Sequence, residues 1–335
     1  GQYVRFGWVP EPWSIFASVR KLAPGHLIRV TPGSPAWSAQ PECYWSARQV
    51  CERASRNPFA GSYPQAVDRL DALLAQAVGE RMVADVDLGA LLSGGVDSTT
   101  VVALMQRLSD RPVKTFSIGF SEEKFNEAEY AAAVAAHLGT DHHELYVSSR
   151  QCLDVVDSLP SVFDEPFADI SQVPTLLVAH MARQGVTVVL SGDGGDELFG
   201  GYNHYFEALA HWQRMQHMPA LLRRTLRCCA SGMAALNWRL VDGALPRAGK
   251  LPAWARSGAK LEKATRGWAA ATPQQLMLER FARCERPTDL VADCQDVPSV
   301  MTDARNWLDV DAPLLQLRHL DFVGYLPGDI LVKVD

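Results

Sequence analysis

The sequence is informative first for what it lacks. No uninterrupted apolar stretch approaches the length of a membrane span, so a helical membrane protein is not expected. The seven cysteines are odd in number and include no Cys-x-x-Cys pair. A zinc site or disulfide framework is thereby disfavoured, and a reducing cytosol fits best. The cysteines themselves read as small buried or half-buried residues. There is no excess of positive charge: the net charge is −6, which argues against a general nucleic-acid binder. No signal-peptide pattern is visible, which decides nothing in a chain that begins at Gly1; the cysteine usage makes the cytoplasm the expected location. Internal repeats and low-complexity tracts are absent as well.

What is present is ordinary for a soluble globular protein. Hydrophobic residues make up 47% and charged residues 21% of 335 residues, enough for one large domain or two smaller ones. The most telling segment is Leu88-Gly-Ala-Leu-Leu-Ser-Gly-Gly-Val-Asp-Ser98, followed at once by a helical pattern. A short apolar run ends in a turn of small residues that opens a helix. Such a turn offers backbone N–H groups at the positive end of a helix dipole, which suits a polyphosphate. Gly94 and Gly95 permit close approach of the backbone to an anion. Asp97 stands where a carboxylate could hold a divalent cation against it. The turn lacks a Gly-Lys-Ser/Thr ending, so it is not a Walker-type loop.

Around this turn the pattern alternates. Residues 1–48 hold strand-like pieces broken by Pro and Gly, such as His26–Val30, with little that could form a core alone. Asn57-Pro58 and Gly61-Ser62 mark residues 52–64 as a connector. From residue 65 the chain reads helix (Val67 to Met82), strand (Leu88–Leu92), helix (Thr99–Leu108), strand (Lys114–Phe120), then an Ala-rich helix (Asn126–Leu138). Asn126 is its expected N-cap and Gly139 its stop. A strand (His143–Val147), a helix (Cys152–Phe163), a helix (Val173–Arg183) and an apolar strand (Val186–Leu190) follow. This order predicts an α/β fold: a doubly wound parallel sheet with helices on both faces, which binds ligands at its strand carboxyl ends. Beyond residue 205 the sequence predicts a C-terminal helical part with no second sheet; the short N-terminal stretch is β-rich. Arg223, Arg224 and Arg227 read as a solvated helix face. His142 and His143 are adjacent in a strand, so they point to opposite faces and read as structural.

A second small-residue turn follows the last strand: Ser191-Gly-Asp-Gly-Gly-Asp-Glu-Leu-Phe-Gly-Gly-Tyr202, with three acids, Asp193, Asp196 and Glu197. Alone, it could be a solvated turn. In a doubly wound sheet, however, both turns lie at strand carboxyl ends and can face one crevice. Asp97 and Asp196 would then supply one metal-binding carboxylate each to a magnesium–nucleotide. With no phosphate-loop lysine reaching for a γ-phosphate, a loop that cradles pyrophosphate favours attack at the α-phosphorus and an adenylate product.

Together these motifs resemble the ATP-pyrophosphatase domain of glutamine-hydrolysing asparagine synthetases. Arg20-Lys-Leu-Ala-Pro-Gly-His26 and Cys43-Tyr-Trp45 are similar to the end of that family's amidotransferase domain. Phe116-Ser-Ile-Gly-Phe120, Asn126-Glu-Ala-Glu-Tyr130, Asp164-Glu-Pro166 and Leu326-Pro-Gly-Asp-Ile-Leu-Val-Lys-Val-Asp335 follow in family order. The resemblance implies an adenine nucleotide alpha-hydrolase-like fold. It implies residues 1–50 as a class II amidotransferase remnant, 51–64 as linker, and 65–335 as a truncated synthetase domain. It implies ATP and Mg2+, with aspartate, and glutamine or ammonia, as small-molecule partners. Neither nucleic acid nor membrane is expected; a homodimer is compatible. The activity implied is adenylation of the aspartate side chain to β-aspartyl-AMP, then displacement of AMP by ammonia to give asparagine.

By the same resemblance Ser93, Gly94, Gly95 and Ser98 hold pyrophosphate, and Asp97 and Asp196 hold magnesium. The backbones of Leu91 and Ile118 flank adenine, and Ser191 and Gly192 also contact the nucleotide. Asp193 takes the catalytic slot, where some members carry the longer Glu. The family's N-terminal cysteine nucleophile and its basic segment with a catalytic lysine are not in this sequence, and Lys333 does not match that lysine. The chain thus reads as an internal fragment, inactive alone. Two alternatives stay open: a related ligase adenylating another carboxylate, of β-lactam synthetase-like or polysaccharide-modifying type, and a nucleotide-binding homologue without catalysis.

Overall fold

The structure is a computed structural model that describes residues 1–33, 39–120, 127–235 and 265–334. The chain divides into two compact units, Gly1–Glu52 with Gly200–Gly324, and Arg53–Phe199 with Tyr325–Asp335. Among the described residues, no helix is long and apolar enough to cross a membrane.

In the first unit the N-terminal residues are tied to distant chain. Helix Gln2–Phe6 ends at Gly7, and Phe6, Trp8 and Val9 are buried. The Gln2 amide donates to the Val297 carbonyl at 2.6 Å, Trp13 Nε1 to Pro298 at 2.6 Å, and the Val300 amide to Glu11 at 2.9 Å. Long-range partners thus supply the core that this stretch could not form alone. The expected strand at His26–Val30 shrinks to β1 (His26–Leu27), paired antiparallel with β2 (Glu42–Cys43). Helices Asn203–Gln216, Pro273–Phe281 and Pro313–Val323 pack on one another, with Met215, Ala270 and Leu276 at the centre of one cluster. Among the described residues no strand follows residue 205, as the sequence predicts.

Two sequence expectations need correction in this unit. Cys43, Cys228 and Cys229 are exposed rather than buried, because their elements lie at the surface. The basic cluster is not a purely solvated face either. Arg227 pairs with Glu285, and Arg223 donates to the Ala270 carbonyl at 3.2 Å; only Arg224 is exposed.

The second unit carries the parallel sheet: β3 (Leu88–Leu91), β4 (Lys114–Phe120), β5 (Asp141–Val147) and β6 (Val188–Leu190), in the order β5-β4-β3-β6. All three pairings are parallel, with Leu91 opposite Phe116 and Ala90 opposite Leu190. The chain steps from β3 outward to β5, then returns to the other side of β3. The order therefore reverses between β3 and β6, the switch point where such sheets bind ligands.

Alternation along the strands gives each face its own core. Ala90, Leu92 and Leu190 pack with Val78, Val102, Met105, Ala131 and Ala135, from helices Tyr63–Arg81, Val96–Leu108 and Ala128–Leu138. Leu91, Phe116, Ile118 and Val189 pack oppositely with Val178, Met181 and Ala182 of helix Gln172–Ala182. Helices thus cover both faces, as the sequence pattern predicts. Asn57-Pro58 and Gly61-Ser62 connect helix Ala47–Arg56 to helix Tyr63–Arg81, so the first part of the expected connector is helical. The helix expected over Cys152–Phe163 is broken into Ser149–Asp154, a 3₁₀ turn Val156–Ser158, and Leu159–Val162. Pro160 forces the last break, since it cannot donate within a continuing helix. Helix Ala128–Leu138 does stop at Gly139 (φ 71°), whereas the expected N-cap Asn126 lies outside the described residues.

Candidate functional site

Both small-residue turns lie in the second unit, at the carboxyl ends of adjacent strands. β3 ends at Leu91, and helix Val96–Leu108 starts after Gly95. The turn between them is held from within. Ser93 Oγ and Ser98 Oγ lie 2.9 Å apart, the Ser93 amide donates to Ser98 Oγ at 3.2 Å, and the Gly95 amide to Ser93 Oγ at 3.3 Å. Gly94 has φ 75°, and a Cβ there would sit 2.9 Å from the Ala131 backbone nitrogen. Only glycine fits that left-handed corner against the helix wall. Helix Val96–Leu108 begins three residues earlier than the apolar pattern alone indicates, which puts Asp97 in its first turn. A carboxylate there is favoured by the helix dipole.

The second turn leaves β6 after Leu190 and enters helix Gly195–Phe199. It lies directly against the first. A Cβ on Gly192 would stand 2.6 Å from the Ser98 backbone nitrogen, and one on Gly195 would stand 2.5 Å from Asp97 Cγ. The Asp97 carboxylate therefore rests on the Gly195 backbone, and Asp196 follows that glycine in sequence. Asp97, Ser191, Gly192 and Asp196 are half-buried, Asp193 is exposed, and Glu197 is only 2% exposed. Leu91 and Ile118 sit on neighbouring strands, half-buried, where the Leu92 amide donates to the Phe116 carbonyl at 2.9 Å. Every sequence-predicted site residue is thus at or beside the carboxyl edge of β3, β4 and β6.

Among the described residues, no group of three or more His, Cys, Asp or Glu side chains could hold a metal ion. A cation here would have to complete its shell with substrate oxygens and water, as Mg2+ habitually does. The donor set fits that habit: carboxylates and a glycine-lined wall, without thiols or imidazoles. His142 and His143 are not part of it. His142 bonds Thr115 Oγ1 at 2.8 Å and Ser117 Oγ at 3.3 Å on one face, while His143 stacks on Phe116 at 5.4 Å.

One group escaped the sequence reading. Lys333 bonds Asp169 and reaches Ser171 Oγ at 2.6 Å, with the Ser171 amide and hydroxyl donating to Asp169 at 2.9 and 2.8 Å. Burial alone would raise the Asp169 carboxyl pKa, but the hydrogen bonds from Lys333 and Ser171 outweigh it and hold the pKa below its usual value. The Asp-x-Ser turn was the only local signal.

A doubly wound parallel sheet with two facing small-residue turns at its switch point defines an α/β protein with an anion-ready crevice. Residues 69–335 match the family described as Asparagine synthase, and the chain belongs to that family. It is 33% identical over 340 residues to a putative glutamine-hydrolysing asparagine synthetase of Mycobacterium tuberculosis, covering 99% of this chain and 47% of that protein. It is 32% identical over 232 residues to asparagine synthetase 1 of Bacillus subtilis, covering 69% and 35%. The human asparagine synthetase is 28% identical over 226 residues, covering 62% and 40%. The chain thus spans about half or less of the length of these curated relatives. Among solved structures, the NH3-dependent NAD synthetase of Campylobacter jejuni matches 41% of this chain and 60% of its own, at 15% identity and TM-score 0.30.

Proposed function

We propose that this protein activates the side-chain carboxylate of aspartate with ATP, releasing pyrophosphate, and that ammonia from glutamine then displaces AMP to give asparagine. The observation that carries this reading is the contact of the two turns: Asp97 of one lies on Gly195 of the other. A crevice walled by both can grip the phosphates from the β3 side and present acids from the β6 side.

Ser93, Gly94, Gly95 and Ser98 hold the pyrophosphate portion, through backbone N–H groups and hydroxyls that the internal bonds already orient. The backbones of Leu91 and Ile118 flank adenine, and Ser191 and Gly192 contact the nucleotide. Asp97 and Asp196 would hold Mg2+, which when bound supplies charge neutralisation to the departing pyrophosphate. Asp193, exposed on the turn, is the residue that meets the acid substrate. Attack of the aspartate carboxylate oxygen on the α-phosphorus breaks the bond to the β-phosphate oxygen and leaves β-aspartyl-AMP. Holding the reactants in place supplies much of the acceleration. Such a reaction belongs in the cytoplasm, with small molecules as its partners, and a homodimer is a compatible assembly.

The test is pyrophosphate release by the protein in its full natural length, with ATP, Mg2+ and a panel of carboxylic acids. Aspartate should support release, and ammonia should convert the product to asparagine. Release with a different acid and none with aspartate would move the protein to a related ligase. Binding of ATP–Mg2+ without release for any acid would leave a nucleotide-binding homologue.

A further inference from the structure

A buried lysine is costly unless its charge is matched, so one that crosses the chain to meet a buried aspartate invites an explanation. Lys333 and Asp169 side chains are 7% and 13% exposed. They join the loop before helix Gln172–Ala182 to the short helix Leu331–Val334, and the two helices pack together. Helix Gln172–Ala182 feeds β6 through Gly185, so as the crossover to a parallel strand it starts at the carboxyl edge of the sheet. The pair therefore sits at the edge that bears the two turns.

From Lys333 the chain runs back through the π-helical segment Leu326–Ile330 to Leu326, whose side chain lies beside Gly194 of the second turn. A Cβ on Gly194 would stand 3.7 Å from Leu326 Cδ2, in ordinary packing contact. Gly194 has φ 90° and is the bend of that turn; the Leu198 amide donates to its carbonyl at 3.0 Å, and the Gly195 amide to Gly192 at 3.2 Å. The first turn is braced by several bonds of its own serines; the second has one such bond, from the Asp193 amide to Ser191 Oγ at 3.4 Å, and packs against this segment.

We infer that Lys333 is a positioning residue: its ion pair with Asp169 and bond to Ser171 anchor segment Leu326–Val334, and through Leu326 set where the acid-bearing turn Ser191–Asp196 stands. The ammonium is committed to Asp169 and Ser171, which suits placement rather than contact with substrate. Only the kinetic consequence rests on the adenylation reading above.

The experiment compares the natural full-length protein with Lys333→Arg and with the double variant Lys333→Met, Asp169→Asn, which removes both charges and leaves no buried ion unpaired. Amide hydrogen exchange is followed at Gly195 and Leu198 in the second turn and at Thr99, whose amide donates to Gly95 at 3.0 Å, beside the first. In the double variant Gly195 and Leu198 should exchange about tenfold faster, with Thr99 unchanged within about twofold. The kcat of pyrophosphate release should fall about tenfold with the KM for ATP within about twofold, and Lys333→Arg should restore both within about threefold. Should the double variant not fold, Ser171→Ala, which takes one hydrogen bond from Lys333, is read the same way with an effect of about threefold. Unchanged exchange at Gly195 and Leu198 overturns the inference. Equal acceleration at Thr99 also overturns it, for that marks a general brace of the fold. If the parent protein releases no pyrophosphate with any acid, the activity reading fails while the exchange pattern still decides the role of Lys333.

Discussion

The two compact units place their polar groups differently. In the unit Arg53–Phe199 with Tyr325–Asp335 those of the two turns stand at an open strand edge: Ser93 and Asp193 are exposed and Asp97 and Asp196 half-buried, while Glu197 and the Lys333–Asp169 pair are buried. In the unit Gly1–Glu52 with Gly200–Gly324, His319 and Asp321 are shut inside. His319 is 3% exposed with neither ring nitrogen hydrogen-bonded, and Asp321, 4% exposed, accepts from His204 Nε2 at 3.0 Å. A polar group at an open edge is available to a ligand; a sealed one can act only on the folded state. Substitutions at the two turns should therefore be felt in activity, and those at His319 or Asp321 in stability.

The largest expected effect breaks the contact between the turns. Gly195→Val puts a branched carbon where the Asp97 carboxylate lies, since even a Cβ would be 2.5 Å from its Cγ. Displacing that carboxylate by about 1 Å, with loss of its aim, should cut pyrophosphate release about a thousandfold, or about 4 kcal/mol. Thermal unfolding run beside the assay separates this from collapse; a variant that turns over normally would dissolve the shared crevice.

Next comes acid, which should act on the sealed unit. Burial, chiefly, with Arg48 adding and Glu52 opposing, pushes the His319 pKa from 6.5 down to about 4. The folded state thus keeps the ring neutral while the unfolded chain protonates it. The stability that neutral His319 contributes is complete above pH 6.5, falls between 6.5 and about 4, and is gone below, a span of about 3 kcal/mol. Asp321 runs the other way, because burial raises its pKa despite the His204 bond, so acid relieves it. Denaturant unfolding of the parent and of His319→Gln across this window isolates the histidine. The parent should lose more stability with acid than the variant; parallel curves would mean the ring is not sealed.

The same contrast governs how much could be read from the sequence. β4 was legible to the residue, because Phe116, Ile118 and Phe120 recur at every second position, the period of a strand. Both glycine turns were legible from local sequence too. That Asp97 touches Gly195 was only implied, since it depends on β6 returning beside β3 rather than beyond β5. The start of helix Val96–Leu108 is hidden in the sequence because Asp97 and Ser98 look like turn residues until the helix dipole is counted. The Lys333–Asp169 pair spans 164 positions, and no periodicity links them. The interior of the other unit was the least legible. Its N-terminal residues bury against residues near 283–300, and the sequence reads each stretch alone as too poor to make a core.

Asp97→Asn sharpens the comparison by removing a charge and almost no volume. The amide still fits over Gly195, so the fold and its melting temperature should stay. Mg2+-dependent pyrophosphate release should fall about thirtyfold, or about 2 kcal/mol, if Asp97 is one of the two carboxylates that hold the cation, as proposed. Raised Mg2+ should recover part of it. Unaltered release would remove Asp97 from the metal site and leave it as a structural acid at a helix start.

The smallest effect belongs to Ser93→Ala. The hydroxyl bonds Ser98 Oγ at 2.9 Å and accepts from the Gly95 amide at 3.3 Å. Ser98 is buried and keeps its bonds to the Ser93 amide and the Gly95 carbonyl, so the turn retains its course without the Ser93 side chain. What goes is one exposed donor and the tether on one amide. ATP affinity should weaken about fivefold, the worth of one ordinary hydrogen bond, while denaturant stability stays within error. A drop in stability with unchanged affinity would reverse the assignment: the open edge would then be holding the fold, as the sealed groups of the other unit do.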